Sequence, residues 1–161
     1  MSIHYYADGT PCECDKIKRM HYKNGDLRQE KPIVNGKIHG VLKCYRPSWN
    51  ARKGHALDRE ISYKNGKKNG LHKQYSPSGD LLNEISYKNG KMHGPYRSYF
   101  QSGFLKYETI FAKNVRHGIK RIFGTERCLE REFLYINGST RVSPTIPRLA
   151  VFSSCPAENF L

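Results

Sequence analysis

The feature that most constrains the fold of this chain is an octapeptide that occurs twice. Residues 60–67 are Glu-Ile-Ser-Tyr-Lys-Asn-Gly-Lys, and residues 84–91 repeat them without change at a step of 84 − 60 = 24 residues. The same step relates further equivalent positions, namely Glu108 and Glu132; Tyr63, Tyr87, Phe111 and Tyr135; and Gly70, Gly94 and Gly118. A period of this size indicates a repeat protein in which each unit packs mainly on its neighbours.

Each unit contains two turn motifs, which predicts two strands per unit. Asn65-Gly66 and its copy at 89–90 are strong hairpin indicators, because both central residues of such a turn need a positive φ. A Ser-Gly pair, as at residues 78–79, marks the second turn. We therefore predict an all-β fold, an elongated, single-layer antiparallel β-meander of repeated hairpins with period 24. With strands about 4.8 Å apart, roughly five units would form a rod about 45–50 Å long.

The phase of the repeat gives the boundaries of the array. Asn35 matches Asn65 at a step of 65 − 35 = 30 residues, which places an insertion of 30 − 24 = 6 residues near 46–54. The predicted organisation is an N-terminal cap at 1–17, the repeat array at 18–138, and a Pro-containing, extended C-terminal tail at 139–161. A chain of 161 residues has room for one core, so we expect one body.

A strand register follows if Ser78 and Gly79 are the two central residues of a tight turn. Positions whose numbers sum to 78 + 79 = 157 then face each other. The predicted structural pairs are Lys73 with Glu84, Arg97 with Glu108, and Arg121 with Glu132. Each such pair contributes about 0.2–1 kcal/mol, so we interpret the Glu column as sheet stabilisation and not as a set of catalytic carboxylates.

The units at 60–83 and 84–107 share the pattern Tyr-Lys-Asn-Gly-Lys-x-x-Gly, followed by Tyr, a Ser/Gly turn and Leu. This pattern resembles the MORN repeat in its variant form. The likeness is weaker at 108–131, where Lys113-Asn114 replaces Asn-Gly and Glu126-Arg127 replaces Ser-Gly. The resemblance implies an elongated antiparallel sheet used in scaffolding and protein–protein contact, with a disputed role at membranes and no active site. Relatives of this type include bacterial antitoxin-like proteins and capsid-associated structural proteins of large DNA viruses, which gives two possible settings.

The composition is strongly basic, with a formal charge of +14 from 28 Lys and Arg against 14 Asp and Glu. Such a charge attracts nucleic acid, anionic lipid or an acidic protein surface. No run approaches the roughly 18 apolar residues of a membrane span, so we predict no transmembrane segment. The cysteines lack the spacings of a disulfide framework, which favours a reducing, cytoplasmic compartment; they are Cys12, Cys14, Cys44, Cys128 and Cys155.

The sequence offers no catalytic residues, metal site or cofactor motif, and we predict a protein that is not an enzyme. Neither a Ser/His/Asp cluster outside the repeat pattern nor a phosphate-binding glycine loop is present. His39, His93 and His117 share one repeat position, but neighbouring units lie about 10 Å apart, too far for one zinc ion. We expect these histidines to form hydrogen bonds within the turns and the sheet.

The lysines of the hairpin turns form a candidate anion-binding edge. They are Lys37, Lys64, Lys67, Lys68, Lys88 and Lys91. Such an edge could bind lipid headgroups, nucleic acid or acidic protein, or the lysines could only protect the sheet from unwanted strand pairing. A row of rings at Tyr45, Tyr75, Tyr99 and Phe123 adds some support for nucleic acid, although such rows more often pack on their neighbours.

Candidate partner contacts lie in the insertion and in the tail. They are Trp49, Ile146, Leu149, Val151, Phe152 and Phe160. The tail would either cap the last hairpin or reach into a partner as an extended arm. The first hypothesis for function is therefore a protein–protein assembly or scaffold protein, with a structural role in a virion as one setting. The alternatives are a peripheral anion-binding protein and an antitoxin-like protein.

Overall fold

The computed structural model describes residues 2–5, 9, 11–14, 16–47 and 56–141. Every regular element in this part of the chain is a β-strand. The strands are β1 (Ser2–Tyr5), β2 (Pro11–Cys14), β3 (Lys16–His21), β4 (Leu27–Val34), β5 (Lys37–Ile38), β6 (Gly40–Tyr45), β7 (Leu57–Lys64), β8 (Lys67–Tyr75), β9 (Leu81–Lys88), β10 (Lys91–Tyr99), β11 (Leu105–Ala112), β12 (Val115–Phe123), β13 (Leu129–Ile136) and β14 (Ser139–Arg141). The described residues include no helix that could cross a membrane.

Twelve strands, β3 to β14, form one open antiparallel sheet in which each strand pairs with its neighbour in sequence. The short strand β5 pairs with β4 and leads into β6, which also pairs with β4. The all-β meander predicted from the repeat is therefore confirmed. Eleven strands follow one another across the sheet, and ten steps of about 4.8 Å make it about 48 Å long.

The ends of the sheet extend slightly beyond the predicted array at 18–138. Strand β3 begins at Lys16, and β14 continues the sheet through Arg141. Residues of the predicted cap form a separate hairpin of β1 and β2, which contacts β4 and β6. The insertion begins and ends at one point, because the Arg46 N–H donates to the Ala56 carbonyl at 2.9 Å.

The Asn-Gly turns have the conformation that the sequence predicts. Asn65 and Gly66 have φ angles of 51° and 78°, and Lys64 pairs directly with Lys67 across the turn. The weaker unit keeps the same geometry, since Lys113 and Asn114 have φ angles of 52° and 72°. A backbone with two consecutive positive φ angles is therefore imposed on a lysine, which is less suited to it than asparagine.

The second type of turn differs from the two-residue loop predicted at Ser78-Gly79. The Ser76 N–H donates to the Asp80 carbonyl and the Gly79 N–H donates to the Ser76 carbonyl, so the loop contains three residues. A bulge between Gln74 and Tyr75 then shifts the register by one residue. The two departures cancel, and this is why the predicted register is nevertheless the one observed beyond the bulge.

Side-chain alternation gives the sheet two distinct faces. The face that carries Glu60, Glu84, Glu108 and Glu132 is called the ladder face, and the face that carries Tyr63, Tyr87, Phe111 and Tyr135 is called the aromatic face. The buried apolar residues among those described are few, because a single-layer sheet has no second layer above it. They are Val41, Leu42, Ile61 and Phe111.

Candidate binding edge

The five tight turns lie in a row along one long edge of the sheet, here called the turn edge. They are at 35–36, 65–66, 89–90, 113–114 and 137–138. Each turn from the second onward donates a backbone hydrogen bond to the preceding hairpin, with N···O distances of 2.8–2.9 Å. The acceptors are the carbonyls of Ile38, Lys68, Met92 and Arg116. This chain of bonds fixes the spacing of the turns, so side chains on this edge have defined relative positions.

A side chain next to the repeat glycine adds a second link between turns. His39 Nδ1 lies 3.1 Å from Asn65 Oδ1 and 3.4 Å from the Asn65 backbone nitrogen. At the equivalent position of the next unit, Asn69 Oδ1 accepts the Asn89 N–H at 3.2 Å. The hydrogen-bonding role predicted for the histidine position is thus present at His39, and asparagine can replace histidine there. Within the described part of the chain, no three His, Cys, Asp or Glu side chains converge as a metal site requires.

A groove of about 480 Å³ lies on the turn edge between the second and third turns. Its lining residues are Lys37, Lys64, Asn65, Lys67, Asn69 and Asn89. The lining is made of ammonium and amide groups without a carboxylate, and ammonium groups form their strongest hydrogen bonds with anionic oxygens. In the described residues, none of the three lysines forms an ion pair. The groove, here called the lysine groove, is suited to carboxylate or phosphate oxygens.

The structure separates the six lysines that the sequence grouped together. Lys37, Lys64 and Lys67 line the lysine groove, and the Lys88–Lys91 pair lies at the next turn, two strands or about 10 Å further on. Lys68 points to the aromatic face, where its Nζ lies 4.9 Å from the centre of the Tyr87 ring. The grouping of Lys68 with the others was wrong, because neighbouring residues of a strand point to opposite faces.

The predicted Glu column forms a continuous ladder of ion pairs on the ladder face. Arg97 lies between Glu84 and Glu108 at 3.4 and 3.5 Å, and Arg121 lies between Glu108 and Glu132 at 3.2 and 2.9 Å. Lys73 is opposite Glu84 in the strand register, as predicted. These carboxylates and their cations are engaged with each other along the sheet.

Two tyrosines of the predicted aromatic row belong to the same ladder. The hydroxyls of Tyr45 and Tyr75 donate to Glu30 and Glu60, each at 2.9 Å. Burial and then these bonds to carboxylates raise the pKa of both tyrosines well above its usual range. The bonds tie these two rings into the sheet, which weakens the hypothesis that the row stacks on nucleic-acid bases.

The sequence analysis missed a group of exposed aliphatic side chains on the ladder face, here called the aliphatic patch. Its members are Ile110, Val115, Leu134 and Ile136. A comparison of the 24-residue units would have identified them, because Ser62 and Ser86 are replaced by Ile110 and Leu134 at the same repeat position. The change is visible in the sequence, but its exposure is not.

The other predicted contacts cannot be placed. Trp49 of the insertion lies outside the described residues. The same is true of the apolar residues of the tail, which are Ile146, Leu149, Val151, Phe152 and Phe160. The roles proposed for the insertion and the tail therefore stay predictions.

Comparison with known proteins agrees with the repeat seen in the structure. Residues 68–89 match the family model described as MORN repeat variant. This segment contains most of β8 and β9 with the intervening Ser/Gly turn, which is the unit that recurs along the sheet. The comparison with curated proteins finds no match. MORN repeats are in general repeats of protein or membrane interaction. The repeat of this chain is therefore a MORN repeat variant.

Proposed function

We propose that this chain is a non-enzymatic assembly protein that binds an acidic surface of a partner protein through the lysine groove. The observation that carries the proposal is the set of three lysines and three asparagines around one groove, without a carboxylate in the lining. The carboxylates of the ladder are instead committed to arginines within the sheet.

The rigidity of the turn edge supports this proposal. Backbone hydrogen bonds join successive turns, and the His39 and Asn69 side chains add further links. Lysines on a pre-organised edge lose less freedom on binding than lysines on a mobile loop. The formal charge of +14 would also attract an acidic partner over a distance and accelerate association.

A pair of matched variants tests the proposal. One variant carries Lys37→Glu, Lys64→Glu and Lys67→Glu in the groove, and the control carries Lys16→Glu, Lys18→Glu and Lys23→Glu at exposed positions of the first hairpin. Both lower the formal charge from +14 to 14 − 6 = +8. Their binding is measured by fluorescence anisotropy against three probes: poly-glutamate, phosphatidylserine vesicles and a single-stranded oligonucleotide.

We expect the groove variant to bind poly-glutamate about ten-fold or more weakly than the control. Three contacts of about 0.5–1 kcal/mol each add up to that factor. Equal weakening in the two variants would show that only total charge matters and would overturn the proposal. A loss confined to the vesicles or to the oligonucleotide would assign the groove to lipid or to nucleic acid instead of protein.

The setting of the assembly is a separate matter. A reducing cytoplasm is a prediction from cysteine spacing, and a place in a virus particle or an antitoxin system is a prediction from the family resemblance. Each stays a prediction here, and the binding experiment does not depend on either.

A further inference from the structure

The aliphatic patch gathers four of the five large apolar side chains that are exposed in the described part of the chain. Ile110, Val115, Leu134 and Ile136 are 46%, 42%, 40% and 41% exposed, and the fifth residue is Met20 on β3. Aliphatic side chains scattered singly over a surface need no explanation, but a contiguous group indicates a contact surface.

The patch continues the lysine groove along the same columns of the sheet. Ile110 and Leu134 take the repeat position of Ser62 and Ser86; Ala112 and Ile136 take that of Lys64 and Lys88; and Val115 takes that of Lys67 and Lys91. All of these positions lie on the ladder face beside the turn edge, because they share the register of the tight hairpins. One strip of surface is thus cationic over β7–β10 and aliphatic over β11–β13.

The length of this strip suits an extended peptide. From Lys64 on β7 to Ile136 on β13 there are six strand steps, or about 29 Å at about 4.8 Å per step. An extended chain advances about 3.3 Å per residue, so about nine residues cover the strip.

We infer that the strip binds one extended segment of the partner protein, about nine residues long, with acidic residues at the lysine groove and apolar residues on the aliphatic patch. This inference rests on the proposed function and specifies the chemistry of its partner. Charge complementarity fixes the orientation, since the acidic end of the segment must lie over Lys64 and Lys67. The apolar end gains from covering side chains that are now nearly half exposed to water.

The ion-pair ladder favours a narrow protein segment over a lipid bilayer as the occupant. Glu108 and Glu132 lie on the same face and next to the aliphatic patch in the same strands, β11 and β13. A bilayer that covered Ile110 and Leu134 would also cover these carboxylates, which is costly for charged groups. A segment one residue wide can cover the patch and leave the ladder in water.

The test uses residues that the protein itself carries at equivalent positions. The patch variant combines Ile110→Ser, Leu134→Ser, Val115→Lys and Ile136→Lys, so that the last units carry the side chains of the middle ones. If circular dichroism shows that it does not fold, the single substitution Leu134→Ser takes its place. Random twelve-residue peptides are displayed and selected on the full-length chain, and enriched peptides are then measured on both variants and on the groove variant.

We expect selection to enrich peptides with an acidic cluster beside an aliphatic cluster. These peptides should bind about ten-fold or more weakly to the patch variant, and their all-acidic versions should bind the wild type and the patch variant alike. Equal binding of the two-part peptides to the wild type and the patch variant would overturn this inference and leave the lysine groove intact. Unchanged binding to the groove variant would overturn the proposed function as well. Enrichment of no such peptide, with vesicle binding lost in the patch variant, would assign the strip to membranes.

Discussion

The middle units at 57–99 and the last units at 105–141 have the same backbone and different surfaces. Both have tight turns with two positive φ angles, the same strand register and arginines between glutamates. The positions beside the turn edge, however, are Ser and Lys in the middle units and aliphatic in the last ones. Turns and ladder therefore define the scaffold, and the columns outside them are free to specialise because no second layer packs on them.

The largest difference that we predict concerns the repeat glycines. A Cβ on Gly70 would lie 3.0 Å from the Ser62 Cβ, whereas on Gly118 it would make ordinary contacts of 3.6–3.7 Å with Ile110. Both glycines have a φ near +100°, so both alanine substitutions introduce backbone strain. We expect Gly70→Ala to lower the free energy of unfolding by about 3 kcal/mol and Gly118→Ala by about 1–2 kcal/mol.

Urea denaturation followed by circular dichroism measures this difference. Losses of equal size would mean that backbone strain alone determines the cost and that the closer packing in the middle units has no energetic effect. Unfolding in two steps would show in addition that the two regions melt separately, as repeat arrays can.

A second prediction separates the regions by pH. His72 lies between Ile61 and Ile85 on the aromatic face, and burial, aided by Lys68 and Arg59, lowers its pKa from 6.5 to about 4. The unfolded chain then binds more protons between these values, so the stability from neutral His72 is complete above about pH 6.5 and falls toward pH 4. Because the ring is partly exposed, we expect a loss of about 1–2 kcal/mol over that range.

The control for this prediction is His72→Leu, since Leu42 has the equivalent position and pairs with Ile61. The last unit has Lys120 at this position. Thermal unfolding between pH 7 and pH 4 should show a smaller loss for the variant than for the wild type. A parallel loss in both would assign the acid sensitivity to the carboxylates of the ladder.

The smallest effect that we predict is a gain of stability in the weaker unit. Lys113 has the φ of +52° that Asn65 and Asn89 have in the middle units. Asparagine tolerates this conformation better than lysine, so Lys113→Asn should raise the free energy of unfolding by about 0.5 kcal/mol. Asn114→Gly should give no such gain, because Asn114 Oδ1 accepts the Met92 N–H at 2.7 Å. Chemical denaturation of the two variants checks both, and a gain for Asn114→Gly alone would reverse our interpretation of this turn.

The weaker unit also shows how tertiary contacts support an unfavourable turn residue. Arg127 replaces the turn glycine at φ 65°, and its guanidinium lies 3.6 Å from the centre of the Phe104 ring in the preceding turn. A contact of a cation with an aromatic ring contributes about 0.5–2 kcal/mol, enough to offset the strain of one residue in the left-handed region. A local rule for turn residues could not anticipate this contact.

Much of the scaffold could be predicted from the sequence, and the candidate site only in part. The register of Arg97 with Glu108 and of Arg121 with Glu132 followed from the repeat and from charge pairing. The turn at Ser78 was predicted one residue too short, because a bulge beyond it restores the register and hides the error. Lys68 was placed with the wrong group, because sequence proximity to a turn does not indicate the face to which a side chain points.

The sequence by itself determined the strands, the tight turns and the charge ladder. These features depend on local backbone preferences and on a period that brings the same residue types together in every unit. Only the tertiary structure decided which lysines share a groove, which aliphatic residues stay exposed, and that groove and patch lie along one strip. The physical reason is that grouping and exposure depend on strands stacked side by side, where neighbours in space are separated by about 24 residues or more in sequence.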